Sequence, residues 1–416
     1  MNLERSSLFA DRAFGLFFAA RAVSIAGSAV TGVVLPILVY QRTGSALNTA
    51  LVAALEVVPY LLFGLLAGAI ADRADRRKLM VWSDGLNALL IASIPVASWF
   101  GVLSLTQIYI VTFLSSTLFV WFDTASFGAL PALVGKTRIL EANNALWGAS
   151  TVIGIIVPPL GAYLAVQWGA AQTLAVDAGS FALSAVALAL VPRAFNGARA
   201  AQTNTSSAVK RVSSDIREGL RFLWAHPLIR PMTLLGFGVS FSGGAVYGLL
   251  VVFAARDLGL SGTDPRVGWL FTSAAIGALL ATLALPRLKN VPSSRIYVWG
   301  LAADAALLLL FIASRSVAVA LPLYALWNAA HTLIIITGIS LRQRVTPEHL
   351  QSRVNAAGRM IAWGGTPFGA AVAGVLAEGI GVRTALYITS LAVLSSAALA
   401  WRSPLRRSSM DDLGSA

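Results

Sequence analysis

The chain contains no cysteine, and only 12% of its 416 residues are Asp, Glu, Lys or Arg. Without thiols there is no disulfide framework, no thiol nucleophile and no cysteine-ligated metal. Histidine is nearly absent too: His226, His331 and His349 stand far apart, at no metal-ligand spacing. Gly-rich nucleotide loops and nucleophile triads are missing as well, so no enzyme class, cofactor or metal is expected. A soluble domain carries about a quarter charged residues. At half that fraction, a hydrated shell around one core of this size cannot be built. What the chain does have is apolar surface, with 57% hydrophobic residues and a mean hydropathy of +0.76. Its solvent is lipid.

A hydrocarbon layer of about 30 Å takes about 20 apolar residues per helix. Twelve such runs occur, at 14–40, 47–71, 79–100, 105–130, 143–166, 172–192, 232–255, 267–285, 296–313, 317–341, 354–377 and 384–401. Strand-length alternation is not evident, which excludes a transmembrane barrel. The fold class is therefore all-α and integral to the membrane. No small-residue cleavage site follows the first run, so a removed signal peptide is not expected.

Basic residues set the orientation, because cytoplasmic loops are enriched in Lys and Arg. Of the 31 Lys and Arg, 24 fall in the segments that share a side with both termini and 5 in the alternate loops, while Arg21 and Arg359 lie inside spans. Both termini are thus expected in the cytoplasm. The same split accounts for the net charge of +13 without a nucleic-acid partner.

One connection is long. Residues 193–230 begin with a polar linker and continue into an amphipathic helix, in which Asp215 and Glu218 have capping-box spacing and Ile216, Leu220, Leu223 and Trp224 form an apolar stripe. It divides 1–192 from 231–416, six spans from six. The halves echo each other: Val134, Ile139, Asn144 and Ala145 recur 211 residues later as Val345, Leu350, Asn355 and Ala356. Duplicated halves of this kind build many transporters.

The segment Gly68-Ala69-Ile70-Ala71-Asp72-Arg73-Ala74-Asp75-Arg76-Arg77, after the second span, resembles the G-x-L-A-D-R-x-G-R-R motif of the major facilitator superfamily. Gly68, Ala71, Asp72, Arg73, Arg76 and Arg77 match it, and Asp75 replaces its last Gly. That replacement, with Glu56, Pro59, Leu130-Pro131-Ala132-Leu133-Val134 and Asp177-Ala178-Gly179-Ser180-Phe181, is similar to the efflux branch that contains macrolide and enterobactin exporters. The resemblance implies two six-helix bundles, secondary active export of a small amphipathic, drug-like or siderophore-like molecule from a bacterial-type inner membrane, exchange with protons, and a monomer. It also implies a gate in which Asp72 faces the start of the eleventh span and Arg73 meets Asp123. The family's fifth-helix antiporter motif survives here at Pro158 and Gly161, with Val157 and Ala162 at glycine positions. A lysophospholipid flippase of the same fold and a non-transporting membrane sensor are the alternative functions.

Ionisable groups at membrane depth are costly and mark function by default. Glu56 and Asp304 lie about nine residues inside their spans, or about 14 Å deep. Each is either a proton-coupling group or a carboxylate satisfied by a neighbouring Ser, Thr or Asn. Asp84 and Asp177 are expected about one turn inside their spans, as helix-end or packing carboxylates. Arg21, Trp121, Asn144, Trp147, Tyr247, Asn328, His331 and Trp363 are the candidates to line a substrate cavity. Reporter fusions at Ala200 and at the C-terminus should read as cytoplasmic, and a fusion at Gly262 as external. A cytoplasmic Gly262 would refute the orientation.

Overall fold

The computed structural model describes residues 8–71, 74–195, 217–261, 264–347 and 350–403. Asp72, Arg73, Gly262, His349 and the stretch 196–216, which includes the linker, Asp215 and Ile216, lie outside the described residues. At Gly68, Asn355 and Ala356 only the helical backbone is described. Among the described residues there is no strand. The long helices are α1 (Arg12–Thr43), α2 (Ala46–Ala71), α3 (Arg76–Trp99), α4 (Leu105–Val134), α5 (Ile139–Trp168) and α6 (Ala170–Ala189). After the short α7 (217–225) come α8 (Ile229–Arg256), α9 (Val267–Ala284), α10 (Ser293–Ala313), α11 (Val317–Val345), α12 (Gln351–Ile380) and α13 (Val382–Arg402). All but α7 are long and apolar enough to cross a membrane, which makes twelve. In hydrocarbon only such internally bonded segments satisfy every backbone N–H and C=O.

Local chemistry fixes the helix ends. Asp75, where the resembling motif has Gly, caps α3 by accepting a hydrogen bond from the Lys78 N–H at 3.1 Å. The cap starts α3 at Arg76, three residues before the span read from hydropathy. Asp84 consequently sits two turns inside the helix rather than one. Ser104 caps α4 in the same way, accepting from the Gln107 N–H at 3.1 Å. Single glycines join α5 to α6 and α12 to α13: Gly169 at φ +90° and Gly381 at φ +86°. Only a residue without a Cβ takes that conformation cheaply.

These turns stand at corresponding places in the two halves, and so do the elements around them. Val134 ends α4 as Val345 ends α11, while α5 and α12 are both 30 residues long. A Cβ on Gly27 of α1 would run into Ser180 of α6, and a Cβ on Gly238 of α8 would run into Ser396 of α13. The two glycines are 211 residues apart, the interval of the sequence echo. Small residues in equivalent places let equivalent helix pairs approach, as membrane packing favours.

The chain groups into two compact units that do not follow chain order alone. One takes the described parts of Met1–Leu35 and Val58–Lys210, the other those of Pro36–Val57 and Arg211–Ala416. The divisions within α1 and α2 fall at Pro36 and beside Pro59, where the missing N–H lets a helix bend.

Within the first unit, α3 packs on α6, and Phe14, Phe17, Met80, Phe122 and Phe195 are buried in one cluster. Within the second unit, α8 and α12 are the closest pair, and backbone meets backbone where Gly244 faces Thr366 and Gly369 faces Phe241. The 36–57 segment is fastened there. Arg256 donates to the Gly44 carbonyl at 2.6 Å, Glu378 accepts from the Ser45 hydroxyl and the Leu47 N–H, and Ala50 lies against Gly248 and Gly374. Of the described part of the amphipathic stripe, Leu220 and Leu223 pack here against Ile229, Leu350 and Val354, whereas Trp224 is exposed.

Two glycines of α12 predict opposite outcomes. A Cβ at position 369 would strike the Phe241 backbone, whereas at 364 it meets nothing within 4 Å. Gly369→Ala should cost about 1–3 kcal/mol by forcing α8 and α12 apart. Gly364→Ala should gain about 0.5–1 kcal/mol from helix propensity. Melting of the detergent-purified protein checks both signs.

Candidate functional site

Four residues on α11 recur at helical spacing, Tyr324, Trp327, Asn328 and His331, so one face of the helix carries them all. Tyr324 stacks on Trp327 with ring centroids 5.5 Å apart, and Trp327 lies 5.3 Å from the His331 ring. Opposite them, α8 presents Gly243, whose hypothetical Cβ would stand 3.1 Å from His331 Cε1. The bare backbone at 243 is what admits the imidazole.

Between these helices, α9 and α12 lies a cavity of about 290 Å³. Tyr247, Trp327, Asn328, His331 and Trp363 line it, together with Phe271 and Thr366. Four of the eight residues expected to line a substrate site, Tyr247, Asn328, His331 and Trp363, therefore share one cavity. Its walls are mainly aromatic, with a few polar groups converging, as in small-molecule sites generally.

Both membrane-depth carboxylates singled out in the sequence sit one residue behind this wall. The Tyr247 hydroxyl donates to Glu56 Oε2 at 3.0 Å. Asp304, 1% exposed, has its Oδ1 3.0 Å from Nδ1 of His331. With the ring proton on Nδ1 the imidazole donates to Asp304, and Nε2 is an acceptor. A carboxylate with no partner in such a place is prohibitive, and each partner here is a group that also faces the cavity. Neither carboxylate takes the Ser, Thr or Asn partner considered from sequence. The sequence offered no signal for these pairings, since the partners lie 191 and 27 residues away.

The first unit holds the remaining charged candidates. Arg21 donates to Asp123 Oδ1 at 3.4 Å and lies 5.1 Å over the Phe122 ring. Asp123, expected opposite Arg73, thus has Arg21 as its described partner. Arg76 donates to the Gly128 carbonyl at 2.8 Å, bridging α3 to α4. Asp177, 1% exposed, accepts from the hydroxyls of Thr31 and Ser180. Asp84, equally buried, lies close enough to Arg21 to act on its charge. These two carboxylates are deeper than the helix-end positions expected for them. Trp121 is half-buried, while Asn144 and Trp147 are exposed, Trp147 at 72%.

Tyr324 and Arg342, which line cavities, escaped the sequence reading. Tyr324 was hidden among the apolar residues of its span. Arg342 was counted with the cytoplasmic basic residues, yet it is 6% exposed inside α11. The available signal was spacing: Arg342 continues the Tyr324–Trp327–His331–Ile335–Gly338 face at steps of three and four.

Comparison with known proteins places this geometry. The family described as transmembrane secretion effector matches residues 6–416. The multidrug efflux pump Tap of Mycolicibacterium fortuitum is 28% identical over 381 residues, covering 89% of this chain and 90% of that protein. The enterobactin exporter EntS of Salmonella choleraesuis is 25% identical over 288 residues, covering 69% of this chain and 67% of that protein. Among solved structures, a bacterial homologue of the human lysosomal transporter Spinster superposes with a TM-score of 0.76 at 13% identity, covering 98% of this chain and 99% of that one. At that identity the likeness speaks for the fold alone.

The Asp304–His331 pair yields a stability prediction. His331→Phe fills the space but leaves a buried carboxylate without its described partner, and should cost about 3–5 kcal/mol. Adding Asp304→Leu removes the stranded charge and should recover much of that loss. A double-mutant cycle read by thermal melting measures the coupling, and simple additivity would show that the pair does not interact.

Proposed function

The chain belongs to the transmembrane secretion effector family of the major facilitator superfamily and is an efflux transporter, and from that premise we propose that it exports a small amphipathic molecule across the bacterial inner membrane in exchange for protons taken up on Glu56. Both termini are cytoplasmic in this reading, and the working unit is a single chain of two bundles, 1–192 and 231–416, joined by 193–230. Alternating access exposes the cavity first to one face and then to the other. Its similarity to a multidrug efflux pump and an enterobactin exporter supports a drug or a siderophore-like cargo.

One observation supports the coupling: Tyr247 is a cavity-lining residue and its hydroxyl hydrogen-bonds Glu56. A phenol has one proton to donate and lone pairs to accept with. While Glu56 is ionised, Tyr247 donates to it and offers its lone pairs to a donor group on the substrate. Once Glu56 is protonated, its own O–H donates to the tyrosine oxygen and the phenol proton turns toward the cavity. There it confronts the substrate's donor and weakens its hold. Proton uptake and substrate release are thereby linked through a single reversal of hydrogen-bond polarity. Asp304 and His331 form the second titratable pair on the cavity wall and are the reserve candidate for the same role.

Asp72, Arg73 and Asp123 complete the proposal as the gate, with Gly68, Arg76 and Arg77 shaping the turn. Arg76 supports this part through its bond to the Gly128 carbonyl, which ties the turn to α4.

Efflux from proteoliposomes, with and without an imposed pH difference, tests the mechanism. Glu56→Gln keeps the side-chain shape and removes the titration. It should still bind substrate, lose accumulation against a gradient, and show a flattened pH dependence. Tyr247→Phe should also uncouple, lowering uphill transport about tenfold or more for the loss of a hydrogen bond to a charged group. If Glu56→Gln pumps uphill with unchanged pH dependence, Glu56 is a structural hydrogen-bonding group and the coupling passes to Asp304.

A further inference from the structure

Arg342 is an anomaly for a membrane span. Its side chain is 94% buried by area, being 6% exposed, and its Nε and Nη1 have no hydrogen-bond partner among the described residues. An ionised guanidinium stranded this way costs several kcal/mol unless something answers it. The fold nevertheless makes room for it. A Cβ at Gly358 of α12 would collide with Arg342 Nη1, so in its present position the guanidinium requires the glycine.

Arg342 is one of the residues lining a second, smaller cavity of about 50 Å³, bounded by α8, α10, α11 and α12. Arg359 lines it too, with its guanidinium carbon 4.7 Å over the Trp363 ring. Tyr297 closes one side and spends its hydroxyl on the Met232 carbonyl at 3.2 Å. Among the lining residues there is no Asp or Glu. Two cationic residues therefore line one small space whose described lining includes no carboxylate. Ser240, Ile335 and Trp363 line this pocket and the 290 Å³ aromatic cavity alike, so the two adjoin.

We propose that Arg342, supported by Arg359, binds a single anionic group (a carboxylate, sulfonate or phosphate), and that the substrates of this chain include anionic amphiphiles. The apolar or aromatic body lies in the cavity walled by Tyr247, Trp327 and Trp363, and the anionic head lies on Arg342. This rests on the efflux reading and narrows it, because a site built around cationic drugs would present carboxylates at this end instead. The size agrees: a volume of about 50 Å³ takes one small head group or one or two waters. The geometry agrees as well, since a guanidinium answers planar or tetrahedral oxyanions with two parallel N–H bonds. The same chemistry fits the head of an anionic lipid and the anionic end of a dissolved substrate.

The test uses two probes that share a fluorophore, 1-anilinonaphthalene-8-sulfonate and its uncharged counterpart N-phenyl-1-naphthylamine. Binding to the purified full-length protein is read by energy transfer from tryptophan. The wild type should prefer the sulfonate by about tenfold or more. Arg342→Met should lose that preference, with the sulfonate weakening to the level of the neutral probe, and Arg342→Lys should retain part of it. Equal binding of both probes by the wild type overturns the proposal, and that arm needs no variant to fold. Full sulfonate preference in a folded Arg342→Met overturns it as well.

Repeating the titration in nanodiscs of phosphatidylcholine, with and without phosphatidylglycerol, identifies the source of the anion. Competition by phosphatidylglycerol that disappears in Arg342→Met assigns the site to a lipid head. Its absence, with the sulfonate preference retained, assigns the site to dissolved substrates. Export of the neutral probe from proteoliposomes is measured alongside. Export without sulfonate preference removes the anion site and keeps efflux, whereas sulfonate preference with no export of either probe keeps the site and removes efflux.

Discussion

Hydrocarbon neither donates nor accepts hydrogen bonds, and this one constraint organises the molecule from the backbone to the cavity. It forces the spans to be helices, because each must satisfy its own N–H and C=O groups. It then bears on the charged side chains that the spans carry. Asp304 meets His331, Glu56 meets Tyr247, Arg21 meets Asp123, and Asp177 is met by two hydroxyls. An exposed ion pair is worth little in water. In these surroundings the same pairing decides which rotation of a helix is tolerable, so the polar minority specifies the packing of an apolar majority.

The second determinant is the absence of side chains at chosen points. Gly244 and Gly369 let α8 and α12 come together, Gly243 makes room for His331, and Gly358 makes room for Arg342. Lipid tails compete with Leu and Val on equal terms, so close approach and exact fit drive helix association here. The polar site depends on this arrangement. With a Cβ at Gly243 or Gly358, the His331 ring or the Arg342 guanidinium would have to shift.

The spans, their number and the repeat were legible in the sequence because each depends on a one-dimensional property, either hydrophobic length or an interval. The mid-helix places of Glu56 and Asp304 followed in the same way from counting along a helix. Helix starts were less legible: Asp75 looks like a departure from a motif until it is seen capping α3, and Asp84 was placed a turn too shallow as a result. Partners were not legible. Whether Glu56 faces Tyr247 or a nearby Ser depends on the rotation and tilt of two helices whose sequences do not encode each other's azimuth. Arg342 shows the same limit from the other side. Near a span end, an arginine that snorkels to water and one that turns inward read alike, and only Gly358 on another helix distinguishes them. The comparisons with known proteins supply the family and the fold, while the proposed coupling group is argued from the cavity and the proposed gate from the motif resemblance.

The placement of Pro36–Val57 in the second unit bears on how such a protein arose and how it can be divided. A gene cut in the 193–230 linker yields two pieces that match the ancestral repeat. The C-terminal piece, however, lacks the segment that covers Gly248 and Gly374 and that supplies Glu56. It would be born with an open seam of small residues and with Tyr247 lacking its acceptor. Only the N-terminal piece carries the missing segment. The two similar halves are therefore not separable modules, because the second unit includes the ends of α1 and α2 that only the N-terminal piece carries.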